Sequence, residues 1–362
     1  MHGRRAGFRQ GVLRPGRSRG LPAAPGQWLG SEPAQEQAPP GPPLVRAALA
    51  VSLSPAQPEC ARTPTPAARA PLPEGQGVCI AGREHDQPSL HFRILGQRLR
   101  IDCASRPVAQ LVVANFRAVA TAPTPGPADL HYAIDVRDTG PSFVLRAPGG
   151  ATFVAQGLDD LLFDLEKHLT VALQRRRPEL LFLHAAALAR GGRAWLLAGD
   201  FGAGKSTTTW ALLHHGWRYL SDELAPIDLA SGRVHPYPRA LCLKRRPPLV
   251  YPLPEAVLDL GRTLHVPPDA LPGAVETRPR ALGGIVFVRY RAGLAAPALR
   301  PLGRAEACAR LYVVTLNALA HAGHGLDAAQ RLAERVPSHS LECDDLSDAC
   351  SLLESSLFPD LG

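Results

Sequence analysis

The clearest chemistry in this chain of 362 residues lies in one stretch, Gly199, Asp200, Phe201, Gly202, Ala203, Gly204, Lys205 and Ser206, which fits the pattern G-x-x-x-x-G-K-[ST]. Glycines at this spacing let successive backbone amides wrap phosphate oxygens at the start of a helix. Lys205 would then reach the β- and γ-phosphates, and Ser206 would place its hydroxyl on Mg²⁺. The chain holds only three lysines, Lys167, Lys205 and Lys244. A random chain of this composition would match the pattern about 0.002 times, so nucleotide binding is the expectation.

A second group follows. The short apolar segment Trp217, Arg218, Tyr219, Leu220, Ser221 runs into two adjacent carboxylates, Asp222 and Glu223. A strand ending this way delivers acids to the carboxyl edge of a sheet beside the phosphate loop. One acid can hold Mg²⁺ while the other accepts a proton. Neither the LSGGQ-like signature of transporter ATPases nor a guanine-reading NKxD-like motif is visible.

The elements that must position these groups are legible in outline. Two apolar runs, residues 181–189 and 194–198, flank a Gly191-Gly192 turn and predict a β-hairpin leading into the phosphate loop. Residues 205–215 predict a helix that Gly216 ends. Upstream, alternating apolar residues predict strands over 91–102, 108–120, 130–136 and 142–145. Residues 157–174 show helical apolar spacing with acids early and bases late. Further on, 284–290 predicts a core strand, 304–320 and 326–335 amphipathic helices, 339–343 a short strand and 345–357 a last helix.

Composition narrows the function classes. Residues 1–75 hold 14 of the 37 prolines with nine Arg and four Glu, too little apolar surface to offset chain entropy, so 1–78 is expected to be a disordered tail. The tail carries +5 of the formal +8 charge and lacks aromatic interleaving, which argues against nucleic acid as a partner. No 18-residue apolar window suggests a membrane span. Seven cysteines without a CxxC pair indicate neither a zinc site nor a disulfide framework, and a cytoplasmic location is expected. The His214-His215 and His321/His324 pairs lack metal-ligand partners and are expected to be surface or packing residues.

Beyond these single motifs, the chain resembles the HPr kinase/phosphorylase family, most closely its HPr-kinase-related serine kinase branch. The likeness covers roughly residues 90–355 and lies in His184-Ala185-Ala186, Gly199 to Thr207, Gly216 to Glu223, the block Pro238 to Lys244, and Ile285 to Tyr290. The hairpin ahead of the phosphate loop separates this group, and the similar PEP-carboxykinase nucleotide core, from ordinary P-loop folds. The resemblance implies an α/β protein. A small mixed β domain (79–175) would precede a P-loop kinase core of the HPr kinase C-terminal type (176–362).

It further implies ATP and Mg²⁺ as cofactors and these roles: Asp222 as general base, Glu223 with Ser206 on Mg²⁺, His184 near the γ-phosphate, and Arg239 and Lys244 against phosphate charge. Arg289 is a further cation of that kind. The family often has Asp where this chain has Glu223. The family's E-x-R-G-x-G-like block is missing after Lys244, which puts HPr itself as substrate, and reverse phosphorolysis, in doubt. The expected activity is ATP-dependent phosphorylation of a serine in a protein or peptide, in a chain able to form homo-oligomers as relatives do. A small-molecule kinase and a non-catalytic ATP-sensing module are the alternatives.

Overall fold

A computed structural model describes residues 88–137 and 142–359; the expected tail lies outside the described residues. The chain first builds a five-stranded sheet in the order β1 (Ser89–Ile94), β2 (Gln97–Cys103), β3 (Leu130–Val136), β4 (Phe143–Arg146) and β5 (Thr152–Ala155). The expected strand over 91–102 is in fact a hairpin. Leu95 and Gly96 both take positive φ, +49° and +82°, which suits a two-residue turn between twisted strands.

The segment expected as a strand over 108–120 is instead helix α1 (Arg106–Phe116). Its valines suggested β-structure, but Val108, Leu111, Val112, Asn115 and Phe116 fall at i, i+3, i+4, i+7 and i+8, and Pro107 sits in the first turn, where its missing N–H costs nothing. Helix α2 (Leu158–Arg176) matches its expected span, with Asp159 and Asp160 in the first turn and Arg175 and Arg176 in the last. It buries a stripe of Leu161, Leu162, Leu165, Leu169 and Leu173.

The following strands are β6 (Leu180–Leu183), β7 (Ala185–Arg190) and β8 (Arg193–Ala198), the last two forming the expected hairpin. The chain continues through α3 (Lys205–His214), β9 (Arg218–Ser221), β10 (Ala225–Asp228) and β11 (Arg233–Val234). A small three-stranded sheet comes next: β12 (Leu241–Leu243), β13 (Leu258–Asp259) and β14 (Leu264–Val266). Then come β15 (Arg280–Tyr290), β16 (Ala298–Pro301), α4 (Arg304–Val313), α5 (Leu326–Arg335), β17 (Ser338–Cys343) and α6 (Leu346–Leu357). The expected helix over 304–320 therefore stops at Val313, and Thr315 to Asn317 pair instead with β6.

Strands β6 to β11 and β15 to β17 form one nine-stranded sheet in which β15 lies parallel to both β8 and β17. Alternation along these strands makes two apolar faces. Ala185, Ala187, Leu196 and Ile285 pack against α4 and α5, and Ala186, Leu188, Leu197 and Val286 pack against α3 and α6. The first sheet has its own core, but Leu180, Phe182, Leu224 and Tyr237 join it, so apolar packing runs without a break across residue 175. Among the described residues no helix is long and apolar enough to cross a membrane.

Candidate functional site

The hairpin determines where the site forms. Strand β7 is antiparallel to both its neighbours, pairing Ala185 with Ala198 of β8 and Ala187 with Ser221 of β9. Its start therefore lies at the same sheet edge as the ends of β8 and β9. That register gathers His184, which precedes β7, Gly199, which follows β8, and Asp222, which follows β9.

The loop after β8 is held against β15. The backbone N–H of Tyr290 donates to the Ala203 carbonyl at 3.0 Å, and Gly199, at φ +146°, passes so close that a Cβ there would stand 2.6 Å from the Val288 carbonyl oxygen. Gly204 caps α3 in the left-handed region, and the Thr208 amide donates to its carbonyl at 2.8 Å. The loop thus opens onto the amino end of a helix, where free N–H groups favour an anion. Lys205 is buried and turns Nζ onto the carbonyls of Gly199 (2.8 Å) and Asp200 (3.1 Å). Burial lowers its pKa, with the charges of Asp222 and Glu223 acting the other way.

Asp222 is 1% exposed. Its Oδ2 accepts from the Cys242 amide at 3.0 Å, while Oδ1 is buried without a partner. Burial, then the charge of Glu223, push its pKa up to about 6, against the pull of Arg239, the Cys242 amide and the Ser206 hydroxyl. Glu223, with a side chain 44% exposed, is held below the usual carboxylate range chiefly by Arg239, whose Nη2 donates to its Oε2 at 2.6 Å. His184 is pushed down by burial and by the positive charges of Lys205, Lys244 and Arg239, which favours a neutral imidazole.

Lys244, just past β12, places Nζ 3.0 Å from the ring centroid of Phe201, which is 74% exposed at the rim of the loop. Asp200 and Gly202 are exposed beside it; Ser206 and Thr207 are half-buried in the first turn of α3. Arg289 is not drawn in: it is exposed and lies 3.9 Å from Glu342. Arg239 is only 3% exposed and its fork is occupied by two carboxylates, Glu223 and Glu166.

Glu166 and Asn115 were missed by sequence reasoning. Glu166 Oε1 accepts from Arg239 Nη1 at 2.9 Å and from Asn115 Nδ2 at 2.8 Å, so α1 and α2 reach into the edge built by β7 to β9. A signal was present: Glu166 interrupts the α2 leucine stripe, four residues after Leu162 and three before Leu169. Cys242 and His265 lie 3.7 Å apart behind Asp222, but burial pushes the thiol up to about 12 and the imidazole down to about 4, which leaves both neutral.

Mg²⁺ prefers oxygen ligands and keeps several from water or phosphate. The half-buried Ser206 hydroxyl and the partly exposed Glu223 carboxylate are oxygen ligands of that kind, and the unpartnered Asp222 oxygen beside them is left free. Among the described residues no group of three or more His, Cys, Asp and Glu side chains could hold a metal alone, so a cation here would need water or phosphate oxygens as well. Of the His pairs, His214 lies against the Trp210 ring and His215 against Tyr251, His321 faces Asn317 and the Leu180 carbonyl, and His324 is exposed.

The chain matches no protein-family model and no curated protein. Among solved structures it is similar to the Hpr(Ser) kinase/phosphatase from Coxiella burnetii at 13% identity, over 50% of this chain and 95% of that one, with a TM-score of 0.24. A likeness of that size does not establish a shared fold, and the chemistry of the site rests on this chain's own residues.

Proposed function

We propose that this chain is an ATP-dependent kinase that transfers the γ-phosphoryl group to a hydroxyl, with a serine of a protein or peptide as acceptor. The observation that carries the proposal is the convergence, at one sheet edge, of a phosphate-type loop with Lys205, a buried carboxyl with one free oxygen at Asp222, and His184. Such transfers ask the protein mainly to position reactants and to stabilise charge.

The loop amides and Lys205 bind the β- and γ-phosphates, and Ser206 with Glu223 would hold the cation. The chemistry Mg²⁺ would supply there, when bound, is neutralisation of charge at the transferring group. Asp222 takes the serine proton on Oδ1 as the hydroxyl oxygen bonds to the γ-phosphorus and the bond to the β,γ-bridging oxygen breaks, releasing ADP. A carboxyl with a raised pKa is the better base for this step. Neutral His184 can hydrogen-bond the moving phosphoryl, and Lys244 can leave Phe201 to meet phosphate charge. Arg239 supports the edge through Glu223.

Incubation with γ-labelled ATP and lysate proteins of the source organism tests the proposal. Label should appear on serine with wild type and vanish with Asp222→Asn. Labelling that survives Asp222→Asn would sink the base assignment. Nucleotide binding with no labelled protein would move the acceptor to a small molecule, or the chain to ATP sensing.

A further inference from the structure

A carboxylate on the leucine stripe of a buried helix face is costly unless it is paired. Glu166 occupies such a place on α2, its side chain 15% exposed, and both of its hydrogen bonds converge on Oε1, from Asn115 of α1 and from Arg239. Arg239 in turn uses its second nitrogen on Glu223. The result is a single chain of contacts, Asn115 to Glu166 to Arg239 to Glu223, at 2.8, 2.9 and 2.6 Å. It starts in the helices of the first sheet and ends at the rim of the phosphate loop.

The two ends differ in freedom. Arg239 is sealed from water, and its guanidinium is a planar fork that fixes the carboxylates on its two nitrogens relative to one another. Glu223, nearly half exposed, has no other carboxylate-fixing contact among the hydrogen bonds of the described residues. Its orientation is therefore set by where Arg239 is held, and on the far side of the fork Glu166, at 2.9 Å, is the charged group that holds it, with the Ala240 carbonyl a longer second acceptor at 3.4 Å. A leucine at 166 would continue the stripe and pack, but it would leave Arg239 with Glu223 as its one carboxylate and Nη1 with only the Ala240 carbonyl at 3.4 Å.

We propose that Glu166 is a positioning residue of the phosphoryl-transfer site, acting through Arg239 to hold the Glu223 carboxylate where it can complete the cation's oxygen shell. The inference rests on the function proposed above and gives the first sheet and its helices a part in that site.

The test measures the MgCl₂ concentration needed for half-maximal binding of a non-hydrolysable ATP analogue, in full-length wild type, Glu166→Gln, Glu223→Gln and the double variant. Gln keeps the size of the side chain and removes the charge that anchors Arg239. The magnesium requirement should rise about tenfold or more in each single variant, with metal-free analogue affinity unchanged. The double variant should be no worse than Glu223→Gln, because both changes act on one carboxylate.

A magnesium requirement within twofold of wild type in Glu166→Gln would overturn the inference. So would an equal loss of metal-free affinity, which a merely structural role would give, or additive losses in the double variant. Should Glu166→Gln fail to fold, Asn115→Ala frees the same carboxylate from its second donor and should shift the requirement in the same direction; no shift there overturns the inference. No analogue binding by wild type would overturn the kinase proposal itself, and this inference with it.

Discussion

The backbone amide of Cys242 donates to Asp222 Oδ2 at 3.0 Å and leaves Oδ1 of the same buried carboxyl without a partner. Burial, with the charge of Glu223 beside it, outweighs Arg239, this amide and the Ser206 hydroxyl and pushes the group's pKa up from 3.8 to about 6. A carboxyl raised in the folded state costs stability wherever it is ionised there. That cost is complete above about pH 6, shrinks as pH falls, and is gone below the ordinary carboxylate range. Asp222→Asn should therefore stabilise the protein by about 1–2 kcal/mol more at pH 7.5 than at pH 4.5. Urea unfolding at the two pH values checks this; an equal effect at both would mean that Asp222 is not raised.

Removing Arg239 has the opposite sign. Arg239→Leu leaves Glu166 buried with only Asn115, and breaking a buried pair from one side costs about 3–5 kcal/mol. Glu223 contributes less to that loss because it is nearly half exposed. Adding Glu166→Leu to Arg239→Leu should recover part of the stability, since the stranded charge is gone. Guanidinium unfolding of the three variants measures it, and no recovery would mean that the pair is not the source of the loss.

The loop of residues 199–206 and the helix after it were legible because their signals are local: closely spaced glycines, one lysine and one hydroxyl within eight residues. The hairpin before it was legible from Gly191-Gly192, whereas the place of His184 at the same edge was implied only by the family resemblance. Helix α1 was not, since Val108, Val112 and Val113 favour strand locally while their packing against the first sheet decides for helix. Nor was Glu166, one acid among several on α2 until the fold brings Arg239 beside it from 73 residues away. Arg239 itself was singled out as a phosphate contact, yet both sides of its fork face protein carboxylates.

The glycines of the loop are not equivalent. Gly199→Ala meets both a left-handed φ and the Val288 carbonyl 2.6 Å away, whereas at Gly202, φ +79°, a Cβ meets nothing within 4 Å. Strain at such a backbone position costs about 1–3 kcal/mol, and the clash adds to it at Gly199 alone. Gly199→Ala should lower the melting temperature clearly more than Gly202→Ala. Equal losses would show that the loop does not pack on β15 as described.

Calorimetric titration of Mg·ATP into wild type and Lys205→Ala tests most directly whether this loop captures phosphates. Hydrogen bonds to charged groups contribute roughly 1.5–3 kcal/mol each, so wild type should bind and the variant should lose about tenfold to a hundredfold in affinity. Equal binding by the two proteins, or no binding by wild type, would contradict phosphate capture by the loop.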